Sequence, residues 1–167
     1  MDHEPEEDFA EFYRNARDGC LRAVYASVGD RSLAEDLTAE AFARAYASWK
    51  KVSRHPAPRA WVVRTALNTH VSWWRRRRRE TAWSDGHDEP DGASGSLALD
   101  ADVLAALRAL PSRQREVVAL RIFLDLDTET TARSLGIAPG TVTAHLSRAT
   151  TALRGRLAPS SEKEPIR

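Results

Sequence analysis

Apolar side chains recur at steps of three and four along most of this chain, and runs of strict alternation are absent, so the pattern predicts helices throughout. Phe9, Phe12, Tyr13, Ala16, Cys20, Val24 and Val28 form one stripe, a first helix that Gly29 ends. Cys20 lies on that stripe and reads as a small core hydrophobe. Ser32-Leu33-Ala34-Glu35 has the form of a capping box and predicts a second helix running to about Trp49, with Leu33, Leu37, Ala41, Tyr46 and Trp49 inward. Lys50 to Pro58 holds two prolines and no apolar period, so it reads as a basic loop. Pro58 then suits the first turn of a third helix, Arg59 to about Arg79.

After a gap the periodicity resumes. Val103, Leu104, Leu107 and Leu110 give a short helix closed by Pro111. Ser112 can cap the next, with Val117, Leu120 and Leu124 as its stripe. Asp127 can cap a helix over Thr128 to Leu135 that Gly136 stops in the left-handed conformation. The last runs from about Pro139 to Leu157 on Val142, Leu146, Ala149, Leu153 and Leu157. The expected fold class is therefore all-α, with two small helical domains at about 6–79 and 101–158. Between them, 80–100 (ETAWSDGHDEPDGASGSLALD) is rich in Gly, Ser, Asp and Pro and reads as a flexible acidic linker; 159–167 reads as a disordered tail.

Net charge is only +1 over 167 residues, yet the charges are segregated. Residues 1–43 hold 4 basic and 11 acidic side chains, 44–79 hold 11 basic and no acidic ones, and 80–100 hold 6 acidic and no basic ones. Residues 101–167 carry 10 basic and 7 acidic groups. Such blocks imply different partners for different segments. No apolar run approaches a membrane span, and the acidic start MDHEPEEDFA lacks a signal peptide's basic and apolar regions, so the expectation is a cytoplasmic protein without membrane insertion. One cysteine and five scattered histidines offer neither a disulfide nor a zinc spacing. No catalytic residues, no metal site and no cofactor are expected, and a nuclease is disfavoured for want of clustered carboxylates.

The sharpest pattern is 128–142, TETTARSLGIAPGTV. A helix-turn-helix needs a small residue where the helices cross, a residue tolerant of positive φ at the turn, and a β-branched hydrophobe early in the second helix. Ala132, Gly136 and Val142 fill those places; the plainer alternative is an ordinary αα-hairpin. The outward face of the second helix holds Thr141, Thr143, His145, Ser147, Arg148 and Arg154, with no acidic residue between Arg133 and Leu157, as a helix in the major groove requires. In the third helix of the first domain, Trp61, Trp73, Trp74, Asn68 and Arg64 precede Arg75 to Arg79. Stacking surfaces, a base-edge amide and phosphate charge together suit single-stranded nucleic acid. Packing of the tryptophans into the core and a basic helix lying on an anionic membrane are the alternatives.

On these residues the chain resembles the extracytoplasmic-function sigma factors of bacterial RNA polymerase, in the sigma-70 family. AEDLTAEAFARAYASW (Ala34 to Trp49) resembles their polymerase-docking helix, and PRAWVVRTALNTHVSWWRRR (Pro58 to Arg77) their minus-10 helix. LPSRQREVVALR with LGIAPGTVTAHLSRATTALR resembles their minus-35 domain. Three positions depart from the family's habit: Ser72 stands where Asp is usual, Thr130-Thr131-Ala132 where Glu-Ile-Ala is favoured, and Ala138 where a capping serine or threonine is common. The lost cap is worth about 1 kcal/mol.

The resemblance implies a non-enzymatic initiation subunit. Its partners would be core RNA polymerase, through the β′ clamp helices and the β flap, promoter DNA and an anti-sigma factor. Glu35, Asp36, Leu37 and Glu40 would meet the polymerase. Lys50, Arg54, His55, Arg64, Asn68, Trp73, Trp74, Arg75 and Arg76 would recognise and open the minus-10 element, and Arg133, Thr141, Thr143, Ala144, Ser147 and Arg148 would read the minus-35 element. The acidic linker would thread the channel later used by RNA. Opening about six base-pair steps costs roughly 8 kcal/mol at about 1.4 each, whereas stacking two flipped bases returns about 2–6 kcal/mol. The factor therefore needs the polymerase to melt DNA. A polymerase-independent helix-turn-helix regulator is the rival reading, and it would have to bind duplex DNA tightly by itself.

Overall fold

A computed structural model of the chain describes residues 5–80 and 99–159, all helical or loop, with no strand among them. The expected linker, apart from Glu80, Leu99 and Asp100, and the tail beyond Pro159 lie outside the described residues. Helix α1 (Pro5–Val28) ends where Gly29 takes φ +75, as its position after the last apolar residue predicts. Helix α2 (Arg31–Ala47) begins two residues earlier than the expected capping box predicts. Asp30 is the N-cap, its Oδ1 accepting from the Leu33 amide at 2.9 Å. Ser32 is thereby inside the helix, and Glu35, freed of any capping role, pairs with Arg31 at 3.1 Å.

The second helix also stops earlier than expected. Ser48 leaves helical geometry, and Trp49–Val52 start a separate turn, α3. The break lets Trp49 fold back on Phe9 and Phe12, with ring centroids 5.3 and 5.0 Å apart. The loop expected from Lys50 is confined to 53–57 as a result, and α4 (Pro58–Glu80) follows.

In the second half, Asp100 caps α5 (Ala101–Arg108) by accepting from the Asp102 amide at 2.9 Å. Helix α6 (Ser112–Val118) has Pro111, not Ser112, at its N-cap, so Ser112 is the first helical residue and makes no side-chain cap. A π-helical turn, Ala119–Phe123, continues it, and Asp125 at φ 53 reverses the chain. Asp127 caps α7 (Thr128–Leu135), Gly136 stops it at φ 66, and α8 (Pro139–Leu157) closes the fold; all three follow the sequence pattern.

The core is shared between the halves. Cys20, Val24, Leu37, Val62 and Val63 from the first half form one buried cluster with Val117, Leu120, Leu124, Leu135 and Val142 from the second. Burial pushes the Cys20 thiol up to about 12, so it is a packing group and not a nucleophile at neutral pH. Three arginines tie the halves at the rim of this core. Arg59 donates to the Leu124 carbonyl at 3.4 Å, Arg115 to the Ser27 carbonyl at 3.1 Å, and Arg64 to the Ser134 carbonyl. The stem of Arg108 lies over Gly29, where a Cβ would sit 2.5 Å from its Cδ, so a side chain here would have to displace the arginine as well as adopt a φ that favours glycine.

Candidate nucleic-acid interface

Helix α4 buries Ala60, Val62, Val63, Ala66 and Thr69, and that face fixes where its other side chains point. Asn68, Trp74, Arg75 and Arg76 are exposed. Trp74 is 52% accessible, and the Arg78 guanidinium sits 4.4 Å over its ring, a cation–π pair set by the four-residue spacing. Trp73 is half-buried against the core. The two adjacent tryptophans therefore stand in different environments. Arg64 is half-buried and turned toward α7 through its bond to the Ser134 carbonyl. Lys50 and Arg54 are exposed, while His55 is half-buried, its Nδ1 accepting from the Ala57 amide at 3.0 Å.

The helix-turn-helix geometry is the one the sequence pattern requires. Ala132 and Val142 are buried at the crossing of α7 and α8, and Gly136 supplies the left-handed turn. Around that anchor Thr141, Thr143, Ser147, Arg148, Arg154 and Arg133 are exposed and Ala144 is half-buried. Thr143 Oγ1 donates back to the Pro139 carbonyl at 3.2 Å, and the helix start has no side-chain cap, since Ala138 occupies the N-cap position. His145, expected on the outer face, is instead half-buried with its Nδ1 enclosed and unpartnered. The surface is small, polar and basic, and no carboxylate interrupts it.

On α2, Glu35 and Asp36 are exposed and Glu40 is half-buried, Glu40 pairing with Arg44 at 2.9 Å. Leu37 departs from the docking role expected for it. Its side chain is wholly buried against the core, because it lies three residues after buried Ala34 and four before buried Ala41 on the 3.6-residue period. Of the four residues expected to meet the polymerase, only the acidic ones, Glu35, Asp36 and Glu40, reach the surface.

Among the described residues, no cluster of His, Cys, Asp or Glu could hold a metal ion, and no helix is long and apolar enough to cross a membrane. Sequence reasoning missed the clamps Arg59, Arg108 and Arg115. Their partners are backbone carbonyls or a glycine surface distant in the chain, which leave no trace in composition or spacing.

The sequence pattern of sigma-70 region 2 matches residues 12–80, and that of sigma-70 region 4 matches residues 100–153. The chain belongs to the sigma-70 family. As an extracytoplasmic-function member it is an RNA polymerase sigma factor, a non-catalytic subunit for promoter-specific initiation. The RNA polymerase sigma-E factor of Streptomyces coelicolor is 35% identical over 152 residues, which span 90% of this chain and 86% of that protein. SigW of Bacillus subtilis is 26% identical over 89% of this chain and 88% of its own length. The sigma factor RpoE of Bartonella quintana, solved in complex with the anti-sigma factor NepR, superposes with a TM-score of 0.75. It is 26% identical, and the match covers 90% of this chain and 97% of that one. Sigma factors bind core RNA polymerase and promoter DNA.

Proposed function

We propose a division of labour along the chain. Residues 6–79 dock on the β′ clamp helices through Glu35, Asp36 and Glu40 and open the minus-10 element with α4 and the loop before it. Residues 101–158 meet the β flap and read the minus-35 element through α8, with Arg133 at its edge. The segment 80–100 spans the distance between the two promoter elements, and the factor works in the cytoplasm, held in check by an anti-sigma factor. What supports this reading above all is the segregation of side chains on the exposed faces. Acidic groups gather on α2, aromatic and basic ones on α4, and small polar and basic ones on α8.

Run-off transcription from a cognate promoter tests it. Transcript should require both this protein and core enzyme, and Asp36→Ala, at an exposed position, should weaken association with core while leaving the helical content unchanged. Tight sequence-specific duplex binding by the protein alone would favour a polymerase-independent regulator. Unchanged core affinity in the variant would move the docking surface off α2.

A further inference from the structure

Between α4 and the junction of α1 with α6 lies a half-open crevice of about 390 Å³, within the range that small-molecule sites occupy. Its walls include Asn68, His70, Trp74 and Arg75 from α4, Ser27 from α1 and Arg115 from α6. Positive charge converges on it. Burial, then Arg115, Arg108 and Arg77, hold His70 below its ordinary value. Burial and Arg108 do the same to Arg115. Arg115 donates one bond, to the Ser27 carbonyl, but its Nε is enclosed without a partner. Glu116 is the one carboxylate on the wall, and it pairs with Arg113 at 3.0 Å. Cations gathered in a partly desolvated site are costly unless an anion offsets them.

We propose that this crevice is a binding site for a small phosphate-bearing ligand, a nucleoside di- or triphosphate. Arg115 and Arg75 meet the phosphates, and Trp74 and Asn68 meet the base. The indole supplies a stacking face and the amide a hydrogen-bonding edge. Because the walls come from both halves of the sigma factor, an occupant holds α4 against α6 and covers three side chains assigned to the minus-10 element, Asn68, Trp74 and Arg75. The same phosphate chemistry occurs in single-stranded DNA, which is a competing source and not the ligand proposed.

The test is a titration of the full chain at low ionic strength with inorganic pyrophosphate, with ADP and with a short single-stranded oligodeoxynucleotide, followed by the imidazole and indole resonances. Pyrophosphate and ADP should bind saturably and raise the His70 pKa, because the anion relieves the arginines. ADP alone should shift the Trp74 indole. Arg115→Gln and Arg75→Gln should each weaken ADP binding by about tenfold or more, and Arg156→Gln, on the last turn of α8, should leave it unchanged. Arg115→Gln also removes the bond to Ser27, so the exposed Arg75 gives a variant whose fold does not depend on the substituted group. The proposal fails if His70 does not respond saturably, if Arg156→Gln weakens binding as much as Arg75→Gln, or if the oligonucleotide binds more tightly than ADP.

Discussion

Helix α8 holds its candidate DNA contacts in the open, whereas α4 spends part of its own on the other half of the molecule. On α8 a few small anchors, Val142 and Ala149 buried and Leu146 and Leu153 half-buried, secure the helix, and Thr141, Thr143, Ser147 and Arg148 are left to solvent. Helix α4 lies between α1, α2 and α7. Its Arg64 is bonded to Ser134, its Trp73 leans on the core, and its Asn68 and Trp74 line the crevice beside α6. On the proposed roles, a recognition helix at the edge of the fold keeps its surface open, whereas a melting helix at the centre is available only in the arrangements that leave it uncovered.

The largest effect should come from breaking what the two helices share. Leu120 is buried in the cluster that joins the halves, so Leu120→Ala should cost about 2–5 kcal/mol. Four of the five tryptophans, at positions 49, 61, 73 and 74, lie in the first half and the fifth, Trp83, in the segment after it, so no fluorophore of this type belongs to the second half. With one shared core, the fluorescence and circular-dichroism transitions in urea should move together to lower denaturant. A fluorescence transition that stays in place while the helical signal weakens would mean that the halves fold separately, and the contrast drawn above would lose its basis.

The adjacent tryptophans sharpen the comparison within α4. Trp73→Ala should lower stability by about 1–3 kcal/mol, less than a fully buried aromatic because part of its surface already meets water. Trp74→Ala should leave the melting temperature nearly unchanged, since that ring is 52% exposed. If Trp74 acts in strand opening, transcription by its variant should fall on closed duplex and return on a promoter carrying a mismatched bubble, where the unstacking cost is already met. Failure to recover on the bubble would take Trp74 out of the melting step.

On α8 the corresponding variant needs no such control for folding. Arg148 is exposed, and Arg148→Ala should weaken promoter binding by about 1–3 kcal/mol and relax preference at one position if it meets a base. A uniform loss over all sequences would make it a phosphate contact, and no loss would place it outside the interface.

The contrast between the helices also marks where the sequence is readable. The α7–α8 turn is legible residue by residue, because Asp127, Ala132, Gly136 and Val142 each answer a local demand of capping, crossing or backbone conformation. The α2 boundaries are less so. Asp30 and Ser32 both offer a capping oxygen near one turn, and only the chain direction leaving Gly29 decides between them. Leu37 is ambiguous for a different reason, since a motif carries its neighbours' role to it while the helical period points it inward. The shared core and the arginine clamps are not legible at all. Two apolar stripes on separate helices do not say whether they meet each other, and a guanidinium that seeks a backbone carbonyl looks in sequence like any solvated charge.

The smallest effects concern pH, and they should separate the two regions by where along the scale each loses stability. His70 beside α6 is held below its ordinary 6.5 by burial and by Arg115, Arg108 and Arg77. The unfolded chain therefore binds this proton more readily than the folded one, and the folded state loses stability as pH falls below about 6.5. Asp127 is held below its ordinary 3.8, chiefly by the Thr130 amide that donates to it at 2.7 Å, with the Thr130 side chain, Arg133 and Arg121 adding to that. Its contribution is present above that ordinary value and is lost as pH falls through the lower folded one. Thermal unfolding from pH 7 down to 3 should then show two windows. His70→Gln should flatten the upper window and leave the lower one, and Asp127→Asn, which keeps a capping oxygen without a titrating group, should do the reverse. An upper window that persists in His70→Gln would show that the crevice beside α4 does not set the acid response, and that the cations around it are better solvated than their packing implies.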